Sequence, residues 1–330
     1  MSRHPRVSIV VPAYQCEFRI RTTLARVTRQ SFTDFEIIVV NDGSTDQTSA
    51  TVRRLMDVDS RIRLLEQTNQ GIAAARNHGI EMSRGKVLAF LDDDDLWHPR
   101  KLELQLAQLD ASPHAAVVSC FSALVDPAGH VMGWRFGGST EGDVYREMLE
   151  WDMVSGGSVA LVLRRPLEEA GGFDRSNPYR ADWDLWIRLA RRHHFTFVPH
   201  TLVGYTRRAG SASQRYDRMI DCGRDVLAKA RREDPTISAR EYRAFVARDL
   251  FGTACFCLVD DQRSMAWRYL ARALRSEPVI VLARPRRWGI MLMLILSSAL
   301  PGRMYRATVV AAMSRVAFHL KRGEAFDSLK

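Results

Sequence analysis

The chain has 330 residues, 46% of them hydrophobic and 26% charged, and carries 48 Lys+Arg against 38 Asp+Glu. That length can bury a large core, and at about 150 residues per domain it predicts one large domain with an appendage, while the ordinary composition excludes fibrous and disordered classes. Five scattered cysteines without CxxC spacing support neither a disulfide framework nor a zinc site and point to a reduced cytoplasm.

Met1–Arg6 run straight into a strand pattern with no apolar h-region, so no signal peptide is read and the chain is expected inside the cell. Residues 7–13, 36–40, 61–65 and 87–91 are short apolar or β-branched runs, each followed by polar or turn residues. Continuous rather than alternating apolarity predicts parallel strands buried on both faces. Ile20, Leu24 and Val27 recur at helical spacing between the first two runs, and Leu102, Leu104, Leu106 and Leu109 do so more loosely after the fourth. Strands alternating with helices predict an α/β fold with a mostly parallel central sheet flanked by helices.

Further strands are predicted at 116–119, 159–163 and 195–198, with a helix from about Asp182 to Arg192 before the last. From about Ser213 the pattern is helical, which places a domain boundary near 212 and an α-helical extension over 213–330. Ala266, Ala273 and Pro278 have the spacing of three tetratricopeptide positions, but the tryptophan and glycine positions are unmatched. A single partial unit cannot stack, so a helical hairpin is predicted.

Charge is unevenly placed. Residues 1–260 hold 35 Lys+Arg against 34 Asp+Glu, whereas 261–330 hold 13 against 4. The apolar run 288–300 lies among Arg284, Arg286, Arg287 and Arg303, and at 1.5 Å per residue it reaches only about 20 Å, short of the roughly 30 Å hydrocarbon core. The segment 284–303 is therefore expected to lie in the interface beside anionic lipid, with a buried core helix as the alternative. The near-neutral first part and the lack of aromatics among the basic residues argue against nucleic-acid binding.

Four consecutive aspartates, Asp92–Asp95, follow the fourth strand run. Like charges this close repel by roughly 1 kcal/mol per pair even in water, so the run is either a solvated acidic loop or a site where carboxylates share a cation. Oxygen-only donors would suit Mg²⁺ or Mn²⁺, and in open α/β sheets ligands bind beyond the carboxyl ends of strands. Asn41–Asp46 forms a Gly-containing turn after the second strand, and Asn69–Asn77 opens a helix after Gly71 that would set Arg76 beside a phosphate or base.

In order, Val7–Tyr14, Val39–Asp46, Gly71–Asn77, Phe90–Trp97, Gly171–Asp174 and Asp182–Arg188 resemble glycosyltransferase family two over about residues 5–213. The resemblance implies a nucleotide-diphospho-sugar transferase fold of the A type, with Asp92-Asp93-Asp94 as its Asp-X-Asp motif. Asp92 is then expected near the ribose and metal, and Asp94 on the metal, Mn²⁺ or Mg²⁺. Asp93 is the variable middle position, with no contact required of it, and Asp95 is a supporting acid. By the same carry-over Pro12 and Tyr14 line the base pocket, Asp42 contacts a uracil-type base, Arg76 lies near base or phosphate, and Asp182 is the catalytic base. Tyr205–Ser211 resembles the closing loop, in which Arg207 and Arg208 would cover the diphosphate.

The chain departs from the family pattern at Gln15, Asn41 and Ala181, where Asn, an acid and Glu are frequent. Ala181 makes Asp184 the rival of Asp182, but on a helix the two point about 200° apart, so one alone faces a site. Trp183 and Trp186 are read as acceptor platforms or core, and His193 and His194 as a solvated helix end. The expected activity is inverting, metal-dependent transfer from a nucleotide-diphosphate sugar, UDP-linked, to a hydroxyl of a saccharide or lipid-linked acceptor. The setting is cell-surface polysaccharide synthesis at the inner face of the membrane, with a catalytically idle membrane-bound scaffold as the alternative.

Overall fold

The computed structural model describes residues 4–135, 141–208, 211 and 214–278. The expected interfacial segment 284–303 lies outside the described residues.

Four of the predicted strands form one parallel layer. They are β1 (Val7–Ala13), β2 (Phe35–Asp42), β3 (Ile62–Gln67) and β4 (Val87–Phe90), and between them run α1 (Arg19–Val27), α2 (Thr48–Met56) and α3 (Ile72–Met82). β1 and β2 are buried at every residue, as continuous apolarity requires of strands covered on both faces. The register pairs Val7 with Phe35 on one side and with Val87 on the other, so β1, β2 and β4 end side by side. α3 comes close to β1 because Gly79 has no side chain: a Cβ there would meet Val10 Cγ1 at 2.3 Å.

The sheet continues through β5 (Leu96–Trp97), α4 (Lys101–Asp110), β6 (Ala115–Val125), β7 (Val131–Arg135), α5 (Tyr145–Glu150), β8 (Leu161–Leu163), α6 (Arg164–Glu169), α7 (Ala181–Ala190) and β9 (His194–Thr206). Its order is β3-β2-β1-β4-β8-β6-β9-β5, with β7 on β6. β8 enters antiparallel between β4 and β6, and β9 runs parallel to β6. β5 and β7 escape the sequence reading because one has only two residues and the other, Val-Met-Gly-Trp-Arg, carries no continuous apolar run.

α4 holds Lys101 fully buried, with Nζ 4.1 Å from the Trp97 ring centroid and donating to Gln105 Oε1 at 2.6 Å. The last described elements are α8 (Tyr216–Glu233), α9 (Ala239–Val259) and α10 (Arg263–Ser276). α9 begins with a Ser238–Glu241 capping box, and α9 and α10 form the expected hairpin, in which Ala266 and Ala273 are fully buried. The main core runs on through Val226 and Leu227 of α8 to Phe245 of α9, and a second cluster around Tyr216, Leu250 and Tyr269 joins the three helices. Among the described residues no helix is long and apolar enough to cross a membrane.

Candidate active site

Where β1 and β2 end, two loops are sewn together by Gln15. Its backbone takes φ +48°, uncommon without glycine, its Nε2 donates to Thr45 Oγ1 at 3.0 Å, and its Oε1 accepts from the Thr45 and Asp46 amides. The extra methylene relative to Asn lets it bridge that gap. Asn41 accepts from the Ser44 amide and donates to Ser49 Oγ at 2.7 Å, which an acid could not do. Pro12 is buried, paired in register with Val40, and Tyr14 stands half exposed beyond it.

Asp42 is buried and accepts three hydrogen bonds, from Gln67 Nε2 and from the amides of Gln70 and Gly71. It thereby fixes the entry to α3. Gly71 takes φ +88° there, a conformation glycine adopts without strain. One helical turn on, Arg76 is buried against Asp92, with Nη2 to Oδ1 at 2.6 Å and the Phe173 ring centroid 5.0 Å from its Cζ. Burial opposes its charge, but Asp92 and Asp182 hold the guanidinium firmly protonated.

The four aspartates divide their work. Asp92 faces Arg76, and its amide donates to Ser158 Oγ. Asp93, expected to need no contact, instead accepts from Arg19 Nη2 at 2.8 Å while its carbonyl accepts from Thr23, which ties the run to α1. Asp94 accepts from Arg208 Nε at 2.7 Å. Asp95 is buried and accepts from the Thr206 amide at 3.1 Å, and Thr206 Oγ1 donates to the Asp94 carbonyl, so the run is stapled to the end of β9. Burial, with the charges of Asp93 and Asp92, pushes the Asp94 carboxyl up to about 6, and burial with Asp92 and Asp94 raises Asp95 well above the usual carboxylate range.

A pocket of about 140 Å³ opens beside this run. Arg76, Asp92, Tyr179, Arg180, Asp182 and Tyr205 are among its lining residues. Asp182 stands in the first turn of α7, half-buried. Asp184 points the other way and is 3% exposed, in ion pairs with Arg188 at 2.7 Å and Lys229 at 2.9 Å. Trp183 and Trp186 are both core, Trp183 donating from Nε1 to the Met148 carbonyl; neither reaches the pocket as an acceptor platform.

Arg208 reaches the aspartates but Arg207 does not. The Arg207 guanidinium is buried against Asp260 and the Tyr216 hydroxyl at the end of α9. Sequence reasoning also passed over Arg180, whose Nη2 donates to Asp249 Oδ1 at 2.8 Å, and Met219 of α8 in the pocket wall. No local signal marks them, because Arg180 meets its partners, Met219 and Asp249, on helices about 40 to 70 residues downstream of it.

Among the described residues no three His, Cys, Asp or Glu side chains converge to form a protein-only metal cage. A hard divalent ion that also takes oxygens from a diphosphate needs only one or two carboxylates. Asp94 and Asp92 are the candidates for that role, and in this structure each carboxylate is held by a guanidinium, Asp94 by Arg208 and Asp92 by Arg76.

Residues 8–169 match the family model Glycosyl transferase family 2. EpsH of Bacillus subtilis, described as a glycosyltransferase, is 26% identical over 294 residues, 84% of this chain and 83% of that one. The mannosyltransferase PcManGT of Pyrobaculum calidifontis, solved with GDP-Man and Mn²⁺, superposes with TM-score 0.61 at 21% identity, covering 97% of this chain and 89% of that one. The 1–349 fragment of S. aureus TarS with UDP-GlcNAc gives TM-score 0.60 at 18% identity, covering 97% and 93%. Sheet order, the sequence of motifs and the family match together make residues 8–169 a family 2 glycosyltransferase domain, in a chain that shares the GT-A fold.

Proposed function

We propose that this enzyme moves a sugar from a nucleotide-diphosphate donor, UDP-linked, to a hydroxyl of a saccharide or lipid-linked acceptor with inversion, in cell-surface polysaccharide synthesis. The carrying observation is that Asp182 shares one pocket with Arg76 and Asp92 while Asp184 is locked in ion pairs beneath the helix. A carboxylate in the pocket wall, with its Oδ1 accepting from the Trp183 amide at 3.0 Å, suits a general base that takes the acceptor proton as oxygen attacks. A retaining reaction through a glycosyl-enzyme would ask for a second carboxylate as nucleophile, and the other carboxylates lining the pocket are engaged, Asp92 by Arg76, Asp95 by the Thr206 amide and Asp152 by the Ser155 amide.

Pro12 and the exposed Tyr14 ring flank the base, and Asp42 presents its remaining acceptor capacity there while holding the Gly71 loop. Arg76 and Arg208 bring fixed positive charge to the diphosphate, where guanidinium groups can donate in pairs. Asp94 and Asp92 would hold Mn²⁺ or Mg²⁺, which when bound neutralises the leaving diphosphate. Support for a nucleotide-sugar donor and a divalent ion comes from the fold neighbours, one solved with GDP-Man and Mn²⁺ and another with UDP-GlcNAc.

The test is a screen of UDP- and GDP-sugars by released nucleotide diphosphate, with membrane extract as acceptor and with Mn²⁺, Mg²⁺ or chelator. Asp182→Asn should retain donor binding by titration calorimetry while transfer falls by about 10²- to 10⁴-fold. If Asp184→Asn does this and Asp182→Asn does not, the base is misassigned. Equal nucleotide affinity in chelator would remove Asp94 from the metal role.

A further inference from the structure

Three consecutive residues leave β9 in three directions. Thr206 is fastened to the aspartate run, with its amide on Asp95 and its hydroxyl on the Asp94 carbonyl. Arg208 lies on the Asp94 carboxylate. Between them the Arg207 amide donates to the Val125 carbonyl at the end of β6, and its guanidinium turns away to the α9–α10 hairpin. There Nε donates to Asp260 Oδ1 at 2.7 Å, Nη2 to Oδ2, and Nη2 also to Tyr216 Oη at 2.8 Å. Tyr216 Oη in turn donates to Asp260. Side-chain exposure is 7% for Arg207 and 12% for Asp260.

A two-pronged guanidinium–carboxylate contact at this burial is not readily opened, because moving Arg207 away would leave an uncompensated buried carboxylate. Arg207 therefore cannot swing onto a ligand at low cost. Its backbone, however, sits one residue from Arg208, so the place of the hairpin sets the place of the cation that faces Asp94. We propose that Arg207 and Asp260 form a positioning pair through which the C-terminal hairpin sets the affinity of the donor site, with Arg208 as the group it positions. This rests on the reading of Asp94 and Arg208 as the diphosphate site.

The discriminating variant is Asp260→Asn in the full chain, probed with UDP and GDP in the presence of Mn²⁺ by titration calorimetry. Long-range electrostatics alone would have the loss of a negative charge tighten an anionic ligand. The positioning pair requires the opposite, a weakening of about tenfold, within the range seen for coupled residues that touch no ligand. Tyr216→Phe should weaken binding in the same direction by less, and it keeps the proposal testable if Asp260→Asn does not fold. Arg268→Ala, which breaks an exposed ion pair to Asp217 in the same helical unit, should leave affinity unchanged.

The decisive measurement is a double-mutant cycle with Arg208→Gln. If Asp260 acts through Arg208, Asp260→Asn has no further effect once Arg208 is Gln. Additive effects, unchanged affinity in Asp260→Asn, or tighter binding would overturn the pair; tighter binding would mean that Asp260 holds Arg207 back from the ligand. Should Arg208→Gln by itself leave nucleotide affinity untouched, the fault lies with the assignment of the diphosphate site.

Discussion

At the scale of single residues, identical side chains are told apart by what they touch. Asp182 and Asp184 are two positions apart on one helix, yet one lines a pocket and the other is 3% exposed between Arg188 and Lys229. Asp184→Asn breaks a buried ion-pair network and should cost about 3 kcal/mol or more; denaturant unfolding should show the loss, with donor affinity of the folded fraction intact. The helical offset of these two was legible in the sequence, as was the turn Asn41–Asp46 that carries Asp42. What Asp93, Asp95 and Arg207 do was not legible, because Arg19, Thr206 and Asp260 lie 74, 111 and 53 residues from them. A side chain's role is set by distance in space, and local pattern carries no record of such partners.

At the scale of elements, apolar runs located β1 to β4 and the cores of β6, β8 and β9, since strands buried on both faces leave that mark and even the half-buried edge strand β3 keeps Ile62, Leu64 and Leu65. Close approach leaves none: Gly79 in α3 reads as a poor helix residue, but it is the contact that seats α3 on β1. Gly79→Ala should destabilise by roughly 1 to 3 kcal/mol through overpacking. Adding Val10→Ala, which removes the clashing methyls, should recover part of that loss in thermal melts, and simple additivity would show that the clash is not the cause. Lys101 in α4 gives a pH signature. Burial lowers its ammonium to about 8 from the ordinary 10.5, so between those values the folded chain binds fewer protons than the unfolded one. Stability contributed by this site therefore rises as pH climbs through that window and is lowest below it. Unfolding at several pH values should show a rise in the wild type that Lys101→Met lacks.

At the scale of the whole molecule, the excess of positive charge falls in residues 261–330, visible at once in the sequence. We expect the full chain to sediment with vesicles containing anionic lipid, less so as salt is raised. A chain ended after Pro278 should stay in the supernatant, and equal sedimentation of the two would assign the contact to the described part. From Tyr216 the described chain is mostly helical, and one core runs on from the sheet into α8 and α9. Arg180 in the pocket wall, next in sequence but one to Asp182, is held by Asp249 of α9. This contact sets an order in time. On a ribosome adding about 5 to 20 residues per second, the aspartate run and the α7 turn emerge several seconds before the carboxylate that pins that turn. A chain arrested short of α9 would present its strands and aspartates without the finished pocket, so assembly of this centre waits on α9.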